Sequence, residues 1–226
     1  MYKTIVVPLD GSKLAEAALP YAEELGTRTG SDIILLSVLE SSDLNKHEKH
    51  QIYANRIQAT TRHHADKYLD LIRSEVANIK TATRIGNPAE AIVEYAGNGG
   101  QSLVVMATHG RSGISRWALG SVADKVARTP TNLPVMLIRA KDARPDVREK
   151  RLLKKVLVPM DGSKSSKAVV PYISQLALKL GMAITLLQVV TQNNHDFADA
   201  TAYLQSVCAE LEQQGIATTY EVRLHR

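Results

Sequence analysis

Residues 4–13 read TIVVPLDGSK, and residues 155–164 read KVLVPMDGSK. Each stretch begins with apolar, mainly β-branched residues, which favour a buried strand, and continues into Asp-Gly-Ser, which is typical of a turn. Ser12 and Ser163 stand where a helix would follow, and serine is a preferred N-cap residue. The chain therefore contains the same strand–turn–helix device twice.

The two copies agree well beyond this opening stretch. With a constant offset of 151 and no gaps, identical residues recur over more than thirty positions. Chance would not preserve register over such a length, so we interpret the chain as a tandem duplication. The matched pairs are Ala17/Ala168, Pro20/Pro171, Tyr21/Tyr172, Leu25/Leu176, Gly30/Gly181, Ile33/Ile184, Leu35/Leu186, Leu36/Leu187 and Val38/Val189.

Each unit continues with a predicted helix and a second strand. Pro20 and Pro171 fall inside the predicted helices and predict a kink, because an interior proline costs about 3 kcal/mol. The glycine at the end of each helix is typical of a left-handed C-terminal cap. The apolar runs DIILLSVL (32–39) and AITLLQVV (183–190) then predict the second buried strand of each unit.

The first unit continues with further alternating elements. Continuously apolar strands that alternate with helices indicate a parallel sheet covered on both faces. We therefore predict an α/β fold with an open, doubly wound, five-stranded parallel sheet in the order 3-2-1-4-5. The predicted elements are a helix over 46–77, a strand near 80–85, a helix from Pro88, a strand over 102–107, a helix near 116–128 and a strand over 133–139.

The second unit is a partial copy. After a shortened second helix and a third predicted strand (217–224), nothing corresponds to residues 86–139 of the first unit. Its first strand should therefore form an open sheet edge. We predict a complete domain over 1–140, a charged linker over 141–153 and an incomplete domain over 154–226.

Composition and charge exclude several classes of protein. The net charge of +5 is spread along the chain, and no aromatic residues interleave with basic ones as in a base-stacking surface, so nucleic-acid binding is not favoured. No run reaches the roughly 18 apolar residues of a membrane helix. The single Cys208 argues for a reducing compartment. We expect a soluble, cytoplasmic protein without a membrane partner.

The stretch VVMATHGRSGISRWALGSVADKVA (104–127) carries the clearest chemical signal. Glycines let a backbone approach an anion closely, and the amide groups at a helix start point toward negative charge. Gly110, Gly120 and Ser121 are therefore candidates for a phosphate cradle. Neither a Walker loop nor a dinucleotide fingerprint is present, and a simple tight turn is the alternative interpretation. In a sheet of this order the loop would face Asp10 where strand order reverses.

Other polar residues give weaker signals. His109 lies in the same loop, but no paired base or nucleophile accompanies it, which favours a polar loop side chain over a catalytic one. The segment HEKH (47–50) with His63 and His64 lacks carboxylate or cysteine spacing typical of a metal site. The sequence thus predicts no catalytic residue and no metal site.

The motifs VVPLDGS (6–12) and MATHGRSGISRWALGSVA (106–123), taken together, resemble the universal stress protein family. Nucleotide-binding members carry Gly-x2-Gly-x9-Gly-Ser/Thr. Here the pattern reads Ala107-x2-Gly110-x9-Gly120-Ser121, with alanine in place of the first glycine. The resemblance covers residues 1–140 and roughly the first half of a second domain, and it implies an adenine-nucleotide alpha-hydrolase-like fold.

The resemblance implies that the first domain binds ATP, with magnesium at the phosphates as an open question. Pro8 and Asp10 would lie along the adenosine, and Val38 would offer backbone groups to the base. Met106 and Ala107 would line the adenosine pocket. Backbone amides and one hydroxyl would hold the phosphates, from Gly110, Gly120, Ser121 and Val122. The second copy keeps Pro159, Asp161 and Gly162 but lacks the phosphate loop, so we expect one nucleotide site per chain.

The resemblance further implies a nucleotide-dependent sensor or adaptor in the stress response. Two alternatives stay open: slow ATP hydrolysis or self-phosphorylation, and a module that binds AMP, a cyclic nucleotide or nothing. The absence of a carboxylate pair for metal counts against fast hydrolysis. Family members often pair through their fifth strands, so we also expect a homodimer through the strand over 133–139.

Overall fold

The computed structural model describes residues 2–39, 44–72, 78–98, 100–109, 119–139, 151–191 and 194–224. It divides into two compact units, Tyr2–Leu152 and Leu153–Arg226. Gly110 and most of the predicted linker over 141–153 lie outside the described residues.

The first unit contains the predicted five-stranded parallel sheet. Its strand order is β3-β2-β1-β4-β5, which confirms the predicted order 3-2-1-4-5. The strands are β1 (Thr4–Pro8), β2 (Asp32–Leu39), β3 (Ile79–Ile85), β4 (Ser102–Ala107) and β5 (Val135–Ile138). The helices are α1 (Leu19–Thr29), α2 (Leu44–Ile72), α3 (Pro88–Gly97) and α4 (Ser121–Arg128), with a 3-10 segment over Ala15–Ala18.

Strand β1 lies at the centre of this sheet. Val6 pairs with Ile34 of β2 on one side and with Val104 of β4 on the other. Because side chains alternate between faces, the strands bury one row against α3 and α4 and the next row on the opposite face, where Ile33 reaches Gly26 of α1. The first row packs into one apolar cluster, which comprises Val6, Ile34, Leu36, Val104 and Met106 with Ala89, Ile92, Ala96, Ala123 and Val126.

The prolines do not kink the helices, so that prediction is wrong. The 3-10 segment comes first, and α1 begins only at Leu19, which places Pro20 in its first turn. A proline is compatible with a helix start because the N–H it lacks would have had no intrahelical acceptor there. Pro171 occupies the same place in the helix Val170–Leu180 of the second unit. The predicted helix near 116–128 also begins later, at Ser121.

The described part of the second unit is a three-stranded parallel sheet in the order β6-β7-β8. Its strands are β6 (Lys155–Pro159), β7 (Ala183–Val190) and β8 (Thr218–Leu224), and its helices are α5 (Lys164–Lys167), α6 (Val170–Leu180) and α7 (Asn194–Gln213). As expected, β6 is an edge strand. One sheet face is exposed: Leu157 is 56% exposed, whereas its counterpart Val6 is 1% exposed.

Acidic side chains are buried between α1 and α2 of the first unit. Glu23 is only 1% exposed, and its Oε1 lies 3.5 Å from Nδ1 of His64. Burial raises the pKa of Glu23 to about 8, while the hydroxyl of Thr61 acts in the opposite direction. Nearby, the hydroxyl of Tyr53 donates a 3.2 Å hydrogen bond to Glu16. This acidic cluster was not predicted from the sequence.

Candidate functional site

The candidate site lies at the carboxyl ends of β1 and β4. The register pairs Thr4–Val6 of β1 with Ser102–Val104 of β4, so the parallel strands end, at Pro8 and Ala107, at the same edge of the sheet. Strand order reverses between these two strands, and open α/β sheets bind ligands at such a point. The fold therefore brings the end of the first motif and the described parts of the second motif to one edge of the sheet.

The end of β1 turns sharply toward the first helix. The N–H of Ser12 donates a 2.9 Å hydrogen bond to Oδ1 of Asp10, and Gly11 between them has a φ of 85°. The hydroxyl of Ser12 accepts from the N–H of Ala15 at 3.2 Å, but the N-cap of the 3-10 segment is Leu14, so the predicted N-cap role holds for Ser163 and not for Ser12. These bonds fix the direction of the Asp10 carboxylate at the sheet edge.

The second copy builds the same turn. The N–H of Ser163 donates to Oδ1 of Asp161 at 2.9 Å, and Gly162 has a φ of 80°. Hydrogen bonds from Ser163 and Ser166 lower the pKa of Asp161 to about 2. The turn alone thus accounts for an aspartate at this position, and only the surroundings distinguish Asp10 from Asp161.

The end of β4 is held against the start of α4. The N–H of Thr108 donates to the carbonyl of Ile138 in β5, and the carbonyl of Thr108 accepts from the N–H of Gly120, each at 2.8 Å. A Cβ on residue 120 would lie 3.0 Å from this carbonyl oxygen and 3.5 Å from Cα of His109. Such a close approach favours glycine.

This contact corrects one expectation about the phosphate cradle. The N–H of Gly120 is already bonded to Thr108, so it is not available to an anion. The free amides of a helix start are those of its first turn, which have no intrahelical acceptor. In α4 these belong to Ser121, Val122 and Ala123, of which Ser121 is exposed and Ala123 is buried. Asp124 in the same turn is paired with Arg128 at 2.7 Å, which offsets its negative charge.

His109 has an unusual environment. Its Nδ1 lies 3.0 Å from the hydroxyl oxygen of Thr108. Its Nε2 is buried and has no hydrogen-bond partner in the described part of the chain. Buried polar atoms are nearly always paired, so an unpaired one indicates a missing partner.

The remaining described residues of the predicted set lie near the ends of β2 and β4. Strand β1 pairs with β2 only as far as Leu36, so Val38 extends beyond the end of β1. Met106 and Ala107 are buried, at 5% and 7% exposure. Gly110 lies outside the described residues. The predicted set is thus assembled around β1, β2, β4 and α4, wherever the chain is described.

Within the described ranges, no three His, Cys, Asp or Glu side chains are grouped so that they could hold a metal ion. None of the described helices is long and apolar enough to cross a membrane.

Comparisons with known proteins agree with this fold. The Universal stress protein family matches residues 1–139. Universal stress protein MJ0577 of Methanocaldococcus jannaschii is 26% identical over 160 residues, which cover 63% of this chain and 98% of that protein.

Two solved structures are also similar. One is the crystal structure of a universal stress protein from Archaeoglobus fulgidus, with a TM-score of 0.69 and 19% identity. The alignment includes 100% of this chain and 80% of the Archaeoglobus chain. The other is a universal stress protein solved in complex with cAMP, with a TM-score of 0.45 and 24% identity. The alignment includes 62% of this chain and 98% of that protein. Because the family match to residues 1–139 includes more than half of its length, the chain belongs to the universal stress protein family.

Proposed function

We propose that the first unit binds one adenine nucleotide, ATP in the first place, and acts as a nucleotide-dependent sensor or adaptor in a stress response. The observation that carries this proposal is the close approach of Gly120 to Thr108, because it places the start of α4 beside the end of β4. The proposed binding residues are Pro8, Asp10, Val38, Met106, Ala107, Gly110, Gly120, Ser121 and Val122.

The two ends of the nucleotide would meet different chemistry. Asp10 would accept a hydrogen bond from a ribose hydroxyl or from the adenine edge, and the apolar Met106 would line the adenosine. The N–H groups of Ser121 and Val122, with the Ser121 hydroxyl, would donate to phosphate oxygens at the positive end of the helix dipole. Gly120 would contribute through its missing side chain. Any magnesium ion would be held mainly by phosphate oxygens, since the described residues offer no metal-ligand cluster.

The duplication supplies a matched test of this site. We expect Asp10→Ala to weaken binding of ATP and of adenosine about tenfold, because a hydrogen bond to a charged group is lost. Asp161→Ala removes the equivalent turn in the second unit and should leave binding unchanged. Ser121→Ala should weaken ATP more than adenosine. Isothermal titration with ATP, AMP, cAMP and adenosine measures these affinities and the expected ratio of one site per chain.

Two results would contradict the proposal. One is a wild-type protein that binds none of these ligands. The other is an equal loss of affinity in Asp10→Ala and Asp161→Ala, which would assign the effect to the turn rather than to the site.

We further propose that the protein forms a homodimer through β5. This strand, Val135–Ile138, is an edge strand of the described sheet, and an unpaired edge is a template for another strand. Light scattering at micromolar concentration should give twice the chain mass of 24.7 kDa. Met136→Lys should shift the protein to the monomer, whereas Leu157→Lys on the β6 edge should not. A wild-type mass of one chain would refute this assembly.

A further inference from the structure

The chain leaves the first unit at Leu152, beside helix α1. The main-chain N–H of Leu152 donates a 2.7 Å hydrogen bond to Oε2 of Glu24, a residue 128 positions earlier in the chain. Leu152 is the last residue of the first unit, so this contact lies wholly within that unit. The hydrogen bond therefore ties the end of the predicted linker to a helix of the first unit.

The carboxylate of Glu24 is buried and needs hydrogen-bond donors. Its residue is 1% exposed, and a charge that water no longer solvates is costly unless it is paired and hydrogen-bonded. The guanidinium of Arg28, one turn further along α1, lies 3.8 Å from Oε1, which is too long for a hydrogen bond. The amide of Leu152, at 2.7 Å, has the short distance of a charge-assisted bond. This amide is therefore a main support of the buried carboxylate.

The second copy shows that the helix itself does not require an acid at this position. At the constant offset of 151, Glu24 corresponds to Gln175, which is exposed on α6. The next position keeps the same residue in both copies, Leu25 and Leu176. The acid is thus specific to the copy from which the linker departs, which associates it with the linker rather than with the folding of the helix.

We propose that Glu24 is a dedicated anchor for the linker between the two units. Its carboxylate holds the amide of Leu152 against α1, so that the linker has one fixed end. Helix α1 is the first α-helix after the turn at Asp10, so the anchor ties the linker to the helix that follows the candidate site. The contact with Leu152 does not depend on the proposed nucleotide binding, and the two can be tested separately.

Hydrogen exchange of the Leu152 amide, followed by NMR on the full chain, tests the anchor directly. In the wild type we expect this amide to be protected, because it donates to a buried acceptor. Glu24→Ala removes the acceptor and should speed the exchange about tenfold or more. Glu24→Gln keeps a neutral acceptor and should give a smaller increase. Trypsin cleavage after Arg151 should follow the same order, because it requires the anchored segment to open.

Two controls separate the anchor from a general loss of stability. Gln175→Ala changes the matched position of α6 and should leave both rates at their wild-type values. The amides of β1 are the internal reference, because a variant that unfolds more often would speed their exchange as well. We expect the acceleration in Glu24→Ala to be confined to the segment around Leu152.

Three results would overturn the anchor. The first is an unprotected Leu152 amide in the folded wild type, which requires no variant. The second is a folded Glu24→Ala whose exchange at Leu152 and cleavage after Arg151 equal those of the wild type. The third is an equal acceleration at Leu152 and in β1, in Glu24→Gln as well as in Glu24→Ala, which would assign Glu24 to the stability of the whole unit.

Discussion

Replacing Glu23 by glutamine is expected to increase the free energy of unfolding at pH 8 and to change it little near pH 5. The carboxyl group lies between α1 and α2 at 1% exposure, beside His64 and Thr61, and burial raises its pKa from 4.5 to about 8. Between these two values the folded protein holds a proton that the unfolded chain has released. Stability from this group is therefore complete below about pH 4.5 and is lost as the pH rises toward 8.

The expected loss in the wild type is about 1.4 kcal/mol for each pH unit inside this window. Glutamine cannot ionise, so Glu23→Gln should remove this slope while preserving the shape of the side chain. Urea unfolding at several pH values between 5 and 8 measures the difference. Glu94→Gln on the exposed face of α3 is the control and should follow the wild-type curve. Parallel curves for the wild type and Glu23→Gln would contradict the prediction.

Leu36→Ala is expected to destabilise the first unit by about 2–5 kcal/mol, because it removes a fully buried side chain and leaves a cavity. Leu36 is 0% exposed and belongs to the cluster that packs β1, β2 and β4 against α3 and α4. Its counterpart Leu187 is partly exposed, on the sheet face that shows Leu157 and Val189 to solvent. Leu187→Ala should therefore cost about 1 kcal/mol or less.

Amide hydrogen exchange followed by mass spectrometry distinguishes the two substitutions, because it reports on each strand separately. Faster exchange is expected in β2 of Leu36→Ala, and little change is expected in β7 of Leu187→Ala. Both substitutions replace leucine by alanine, so the two differ mainly in how deeply the leucine side chain is buried. An equal or larger loss in Leu187→Ala would mean that this face is covered in solution.

Much of the fold could be predicted from the sequence because its signals are strong and local. The β-branched run before Pro8 and the apolar run DIILLSVL have the length and composition of buried strands, and the structure contains both. Gly30 and Gly181 end their helices with φ values of 70° and 60°, as the left-handed cap requires. Because the two copies align without gaps, each strand or helix predicted in one copy could also be predicted at the matching residues of the other.

Other features depend on three-dimensional context that a sequence does not show. Pro20 lies in the first turn of α1 only because a 3-10 segment precedes it, and nothing in the residues Ala15–Ala18 marks that change of helix type. The amide of Gly120 is bonded to Thr108, which is a contact between distant strand and helix ends. Burial of Glu23 depends on where α2 packs, although its position four residues after Leu19 on the apolar face of α1 was a signal available in the sequence.

The two main-chain hydrogen bonds of Thr108 also connect two elements of the fold. On one side the residue is tied to β5, and on the other it is tied to the first turn of α4. A displacement of β5 would therefore reach the start of α4 through Thr108, in addition to the direct packing of β5 on the cluster that contains Ala123 and Val126. If the proposed dimer contact on β5 and the proposed nucleotide site at the start of α4 both exist, each would affect the other through Thr108.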